Sequence, residues 1–358
     1  MLEDYLRHLV DRRGSDLHLK VGTPPRIRVD GRLLTSPFPA LTAADTERLA
    51  YAVLTGVRAD EFDATNEADV ALDHPGLGRF RVNVYRQRGT VALVLRSVTP
   101  GIPSFAELGL PPVVQRLADE PRGMVLVTGP TGSGKTTTIA AMVDHINATK
   151  AVNIVTIEDP VEVLHSDRRS IVSQREIGAD TNGFHEAMRR VLRQDPDVIF
   201  VGEMRDAETV WAALAAAETG HLVLSTLHTS TAVETVNRIV DFFPPHQHGQ
   251  IRLSLATSLR GVVSQRLVPR ASGEGRIAAV EVLVNTGRVY DRIVDPDMPG
   301  ESIEDIMAGG EYYGMQTFDQ ALLVLHRDGL IGAREALASA TSPSDLRLAM
   351  QRAGLLTA

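Results

Sequence analysis

Eight consecutive residues, Gly129-Pro130-Thr131-Gly132-Ser133-Gly134-Lys135-Thr136, fit the spacing G-x-x-x-x-G-K-[ST] of a phosphate-binding loop. Glycines at 129, 132 and 134 let the backbone turn tightly and aim its N–H groups at one anion. The helix that follows the loop adds the positive end of its dipole. Lys135 then reaches β- and γ-phosphates, Thr136 offers its hydroxyl to Mg²⁺, and Thr137 can bond the α-phosphate. The chemistry implied is phosphoryl transfer from a nucleoside triphosphate, with ATP and Mg²⁺ as the bound species.

Such chemistry needs acids near the loop. Ile154-Val-Thr-Ile-Glu158-Asp159 and Asp197-Val-Ile-Phe-Val-Gly202-Glu203 are apolar runs that end in one. In an open parallel sheet, ligands sit at the carboxyl ends of the strands, so both acids can face the loop. The second run departs from the usual Walker B pattern, having Gly202-Glu203 where Asp-Glu is common. We assign Glu203 to polarising the attacking water and Glu158 to the water shell of Mg²⁺. His221 and His228 bracket another apolar run. His228, at its carboxyl end, is the expected γ-phosphate sensor, and His221 is structural or relays to it. Positive charge beyond Lys135 can come from an arginine finger. Arg79, Arg81, Arg86, Arg88 and Arg96 offer it, but for any single one of them a solvated basic surface is the stronger reading on sequence alone.

The elements that must position these residues follow from periodicity. Val125–Thr128, Asn153–Glu158, Val198–Val201, Leu222–Thr226 and Ala278–Val284 read as strands, and Thr137–Ile146, Phe184–Gln194 and Ala207–Thr219 as helices. The alternation predicts an α/β core over 113–285, with a parallel sheet covered on both faces. Residues 1–99 read as a smaller α+β unit. It has a helix from Leu2, strands Ser15–Val21 and Ile27–Leu33 with a turn at Asp30-Gly31, and a helix over Thr42–Leu54, capped by Thr42 and closed near Gly56. Three more strands follow, Ala68–Asp73, Arg79–Arg86 and Thr90–Ser97. A linker with four prolines spans 100–112. Residues 286–358 read as helical, with a loop at Pro296–Gly300, and suit docking or assembly.

Composition narrows the class. With no cysteine, disulfides, thiol catalysis and cysteine-bound zinc are excluded. A formal net charge of -8 argues against a general nucleic-acid binder. No apolar run approaches the roughly 20 residues of a membrane span, and Met1–Arg7 lacks the plan of a signal peptide. A cytoplasmic location is expected.

In combination, Gly14–Leu19 (GSDLHL), Arg79–Asn83 (RFRVN), the phosphate loop, Thr156–Glu162 (TIEDPVE), Val201–Asp206 (VGEMRD), Gly220–Thr229 (GHLVLSTLHT) and Gly314–Asp319 (GMQTFD) resemble the type II/IV secretion ATPase superfamily. The nearest resemblance is to the PilT group, the type IV pilus retraction motors. This resemblance implies a homohexamer whose subunits pair an N-terminal PAS-like domain with a RecA-like core. ATP would lie at the subunit junction, with Arg81 and Arg96 near the phosphates. It also implies docking on an inner-membrane platform protein, while the acidic balance and the lack of a basic, aromatic-rich stretch argue against a nucleic-acid partner. The lack of cysteine and of an extra N-terminal domain sets the chain apart from assembly motors. Thr286–Val294 departs from the Ala-Ile-Arg-Asn-Leu-like motif of retraction motors. A secretion, conjugation or pilus-assembly ATPase keeps the chemistry and changes the machine. A nucleic-acid motor and a nucleotide-gated adaptor are the other classes, the latter disfavoured by Glu203.

Overall fold

The computed structural model describes residues 1–29, 31–98 and 101–356. The chain forms two compact units, 1–101 with 160–163, and 102–159 with 164–358.

The first unit contains α1 (Leu2–Asp11), β1 (Asp16–Lys20), β2 (Arg26–Val29), β3 (Arg32–Thr35), α2 (Ala43–Val53), α3 (Val57–Thr65), β4 (Glu67–His74), β5 (Gly78–Gln87) and β6 (Thr90–Ser97). Its strands form one antiparallel sheet in the order β3-β2-β1-β6-β5-β4. Leu17, Leu19, Phe80, Val82, Val84, Leu93 and Leu95 alternate onto one face. They are covered by Leu6, Leu9, Leu49 and Phe62 from the helices. Thr42 caps α2 in a reciprocal box with Asp45. The helix matches the expected Thr42–Leu54, with Thr42 and Leu54 as its caps, and Gly56 precedes α3, a helix the sequence reading did not draw. Of the turn expected at Asp30-Gly31, Asp30 lies outside the described residues, as do Thr99 and Pro100 around the linker's start.

The second unit contains α4 (Pro112–Ala118), β7 (Gly123–Thr128), α5 (Lys135–Thr149), β8 (Asn153–Glu158), β9 (Ile171–Glu176), α6 (Phe184–Val191), β10 (Val198–Val201), α7 (Ala207–Glu218), β11 (Leu222–Leu227), α8 (Ala232–Asp241), α9 (His248–Ser258), β12 (Leu259–Pro269) and β13 (Arg276–Val284). The helices α10 (Gly287–Val294), α11 (Ile303–Ala308), α12 (Phe318–Arg327), α13 (Ala333–Ser339) and α14 (Pro343–Arg352) follow. The sheet order is β13-β12-β7-β11-β10-β8-β9. Six strands run parallel. Their central members are fully buried and mainly apolar, as burial on both faces requires.

The sheet differs from the sequence expectation at both edges. β13 contains the predicted strand Ala278–Val284, but it runs antiparallel to β12. The short 270–275 connection makes it the returning arm of a hairpin, and a hairpin can only pair antiparallel. β12 itself, not drawn from the sequence, lies beside the phosphate-loop strand. β9 was missed because Ile171-Val-Ser-Gln-Arg-Glu is polar and partly exposed, as an edge strand allows.

The helices after 286 belong to the second unit. Val289, Ile293, Ile306 and Met307 enter the core formed with α7 and α9. Phe318, Leu322, Leu346 and Met350 cover Val268, Ile277 and Ala279 of the hairpin.

Candidate nucleotide-hydrolysis site

The phosphate loop connects β7 to α5, and its glycines are there for conformation and space. Gly129, Gly132 and Gly134 all have positive φ, at 143°, 77° and 94°. A Cβ on Gly129 would lie 2.5 Å from the Gln265 carbonyl oxygen and 2.6 Å from Ser133 Oγ. Lys135 is buried, and its ammonium donates to the carbonyls of Gly129 at 2.8 Å and Pro130 at 3.1 Å. The charge is therefore held against the loop's concave side. Among the described residues, the buried Ser133 Oγ has no hydrogen-bond partner. A cradle with a spare hydroxyl and the unbonded N–H groups of a helix start fits a phosphate chain.

Register brings the predicted residues to the same sheet edge. Ile157 pairs with Val201, Val201 with Ser225, and Ser225 with Leu126. The strands are parallel, so Glu158, Glu203, His228 and Gly129 all follow at their carboxyl ends. Glu158, 7% exposed, accepts from Thr156 Oγ1 at 2.6 Å and from Gln174 Nε2 at 3.0 Å, both on Oε1. Gln174 stands on the missed strand β9, so the sequence could not have assigned it.

Glu203, its side chain 14% exposed, lies 3.5 Å from His228 Nε2 through Oε2 and pairs with Arg205 through Oε1. His228 is 57% exposed and Arg205 more so. Exposed ion pairs contribute about 0–1 kcal/mol, so Arg205 does not lock the carboxylate away from a substrate. Arg205, His228, Thr229, Glu234 and Arg238 line an open groove there. His221 lies at the opposite end of β11, bonded to the Ala216 carbonyl at 2.9 Å, a structural position.

Gly202 has its own reason. Its N–H donates to the Ile157 carbonyl at 2.8 Å, and its carbonyl accepts from Thr226 Oγ1 at 2.6 Å. A Cβ there would meet the Ile157 oxygen at 3.2 Å and Glu158 Cα at 3.4 Å. A side chain at this position, such as the aspartate of a usual Walker B strand, would press on the β8 backbone, which would have to give way by a few tenths of an ångström.

Sequence reasoning missed the support beneath the loop. Buried Thr128 pairs with Ser264 at 2.9 Å, and buried Thr229 with Thr235 at 2.7 Å. Buried Glu281 of β13 accepts the Ala232 N–H at 2.7 Å, fixing the start of α8 after His228. Burial pushes its carboxyl up to about 7, against the bonds from Ala232 and Phe318 and the charge of Arg266. An acid inside an otherwise apolar strand, Ala-Ala-Val-Glu-Val-Leu, was the available signal. Arg81 and Arg96 are cross-strand partners in the first unit. Arg81 lies 3.6 Å from Glu162, and Arg96 bonds Asp16 at 2.8 Å.

A parallel sheet whose phosphate loop and acid-tipped strands share one edge is the architecture of the P-loop ATPases, and that is the class of this protein. It belongs to the type II/IV secretion system protein family, which matches residues 78–295. The chain is 44% identical over 331 residues to the type IV pilus retraction ATPase PilT of Pseudomonas aeruginosa, covering 92% of this chain and 95% of that one. It is 41% identical over 346 residues to the type IV pilus ATPase PilU of the same organism, covering 97% and 90%. The crystal structure of the pilus retraction motor PilT with bound ADP superposes with a TM-score of 0.88 at 45% identity, covering 96% and 98%.

Proposed function

We propose that this protein is a homohexameric, Mg²⁺-dependent ATPase that drives type IV pilus retraction from the cytoplasmic face of the inner membrane. The observation that carries the reading is the Glu203–His228 pair at the phosphate-loop edge, in a chain matched almost end to end by PilT. The first unit acts as a PAS-like domain, the second as a RecA-like core, and the helices after 286 as an assembly element. The platform protein of the inner membrane receives the force, and nucleic acid has no part.

The chemistry follows from the residues. Gly129–Thr137 cradle the triphosphate, with Lys135 on the β- and γ-phosphates. Thr136 would hold Mg²⁺, with Glu158 and Glu203 reaching it through water; the ion supplies charge neutralisation on the phosphates. Glu203 orients the attacking water and takes its proton as the water oxygen bonds to the γ-phosphorus. The bond from that phosphorus to the β,γ-bridging oxygen breaks, and ADP leaves with those electrons. His228 bonds the γ-phosphoryl oxygens and reports their loss through Glu203. Arg81 and Arg96 act on the phosphates of a neighbouring subunit, where positive charge meets developing negative charge.

Deletion of the gene in its own cell tests the machine. Retraction predicts surface pili that persist without twitching; loss of all pili would assign the protein to assembly instead. No helix among the described residues is long and apolar enough to cross a membrane, so membrane association in this reading is through the platform.

A further inference from the structure

The polar face of the first unit's sheet carries one row of charge. Register sets Arg81 of β5 opposite Arg96 of β6, Arg96 opposite Asp16 of β1, and Asp16 opposite Arg28 of β2. Directly opposed residues share a face and stand close, so three guanidinium groups and one carboxylate lie side by side. Their exposure is unequal. The side chain of Asp16 is 6% exposed and that of Arg96 is 70% exposed.

The two oxygens of Asp16 have separate tasks. Oδ2 accepts from the Ser15 hydroxyl at 2.7 Å and lies 3.8 Å from Arg28 Nε. Oδ1 accepts from Arg96 Nε at 2.8 Å. Burial raises the Asp16 pKa, but the hydrogen bonds from Ser15 and Arg96 and the Arg96 charge outweigh it, leaving the carboxyl below its ordinary value. The group is thus a carboxylate at neutral pH. Its bond to Arg96 uses the nitrogen nearest the aliphatic stem. Among the described residues, neither terminal nitrogen of Arg96 has a partner. A guanidinium held by Nε has its plane fixed and keeps its terminal N–H groups for a bidentate grip on an anion. Stapling β1 to β6 does not require this bond, because the backbone ladder already joins Asp16–Lys20 to Arg96–Ala92.

We propose that Asp16 is the positioning residue for Arg96, setting the guanidinium plane so that its terminal nitrogens meet the γ-phosphoryl group of ATP on a neighbouring subunit. The inference rests on the trans-acting role given to Arg96 above. Asp16 touches no substrate; it acts through the arginine, and its contribution is to the transition state, where a small misplacement of a charge costs most.

The test is a double-mutant cycle on the full-length hexamer, with ATP turnover, KM and affinity for a non-hydrolysable ATP analogue as readouts. Asp16→Asn keeps the volume and loses the charge. It should lower kcat about 10- to 100-fold while analogue affinity and KM stay within about twofold. Arg96→Ala should lower kcat at least as far, and Asp16→Asn added to it should cost nothing more. A purely structural aspartate gives the opposite result: the two losses multiply, and the proposal falls. Impaired Arg96→Ala beside wild-type turnover in Asp16→Asn removes the positioning role alone. Wild-type turnover in Arg96→Ala removes the trans arginine and the inference with it. If Asp16→Asn does not fold, Ser15→Ala enters the same cycle, since it frees Oδ2 and leaves the charge. A smaller fall in kcat, absent when Arg96 is Ala, supports the proposal; a fall that persists there overturns it.

Discussion

The imidazole Nε2 of His228 stands 3.5 Å from Oε2 of Glu203, joining the carboxyl ends of two neighbouring parallel strands. In the proposed mechanism Glu203 is the acid that activates water and His228 the γ-phosphate sensor, so this contact would carry a change at the phosphate to β11 and onward to α8.

This pairing separates binding from chemistry. Glu203→Gln should bind a fluorescent ATP analogue as wild type does, with turnover reduced about 10²–10⁴-fold, the range for a positioned base. Steady-state phosphate release beside equilibrium binding checks it, and nearly unchanged turnover would move the basic role to Glu158.

Gly202 should resist even the smallest side chain. The atoms nearest a Cβ there belong to the β8 backbone, which cannot rotate away. Gly202→Ala should lower stability by about 1–3 kcal/mol, as overpacking does, and depress turnover by shifting Glu203. Denaturant unfolding and ATPase assay read the two effects; a silent substitution would show that β8 and β10 separate easily.

Glu281 predicts a pH dependence. Its carboxyl is raised from 4.5 to about 7 by burial, with Arg266 and Glu304 as the charged groups facing it. Between those values the folded chain holds a proton that the unfolded chain releases. Its stabilising effect is therefore complete below about pH 4.5, is lost as pH rises toward 7, and changes no further above that. At about 1.36 kcal/mol for each pH unit, the loss is on the order of 3 kcal/mol. Glu281→Gln keeps an acceptor for Ala232 and cannot ionise. Between pH 5 and pH 7.5 the wild type's thermal midpoint should fall by roughly 5 °C or more relative to the variant's. Parallel midpoints would sink the prediction.

Shared catalysis predicts complementation. Rings of Lys135→Ala alone or Arg81→Ala alone should be inactive, whereas mixed rings contain some junctions with both groups intact. Mixing the two dead proteins after dissociation should restore partial turnover, with mixed rings confirmed by differential tags. An active Arg81→Ala ring would make the arginine a surface charge. If the mixture stays dead while wild type mixed with Lys135→Ala gives graded activity, the arginine acts within its own chain.

The sequence by itself determined whatever is written in contiguous residues. The phosphate loop and the Thr42 cap are short-range geometry, and the strands at 153–158 and 198–201 match their predicted limits because a short, mainly apolar, β-branched run is bounded by polar residues. Tertiary structure decided what depends on pairing across the sheet. It placed the β12–β13 hairpin beside the phosphate-loop strand and turned β13 antiparallel. It explained Gly202 by the nearness of β8, joined Glu203 to His228, and set Asp16 against Arg96, 80 residues away in the chain. The physical reason is that hydrogen bonds and excluded volume act over a few ångströms, whatever the separation along the chain. Sequence fixes which groups are available, and the register of strands fixes which of them meet.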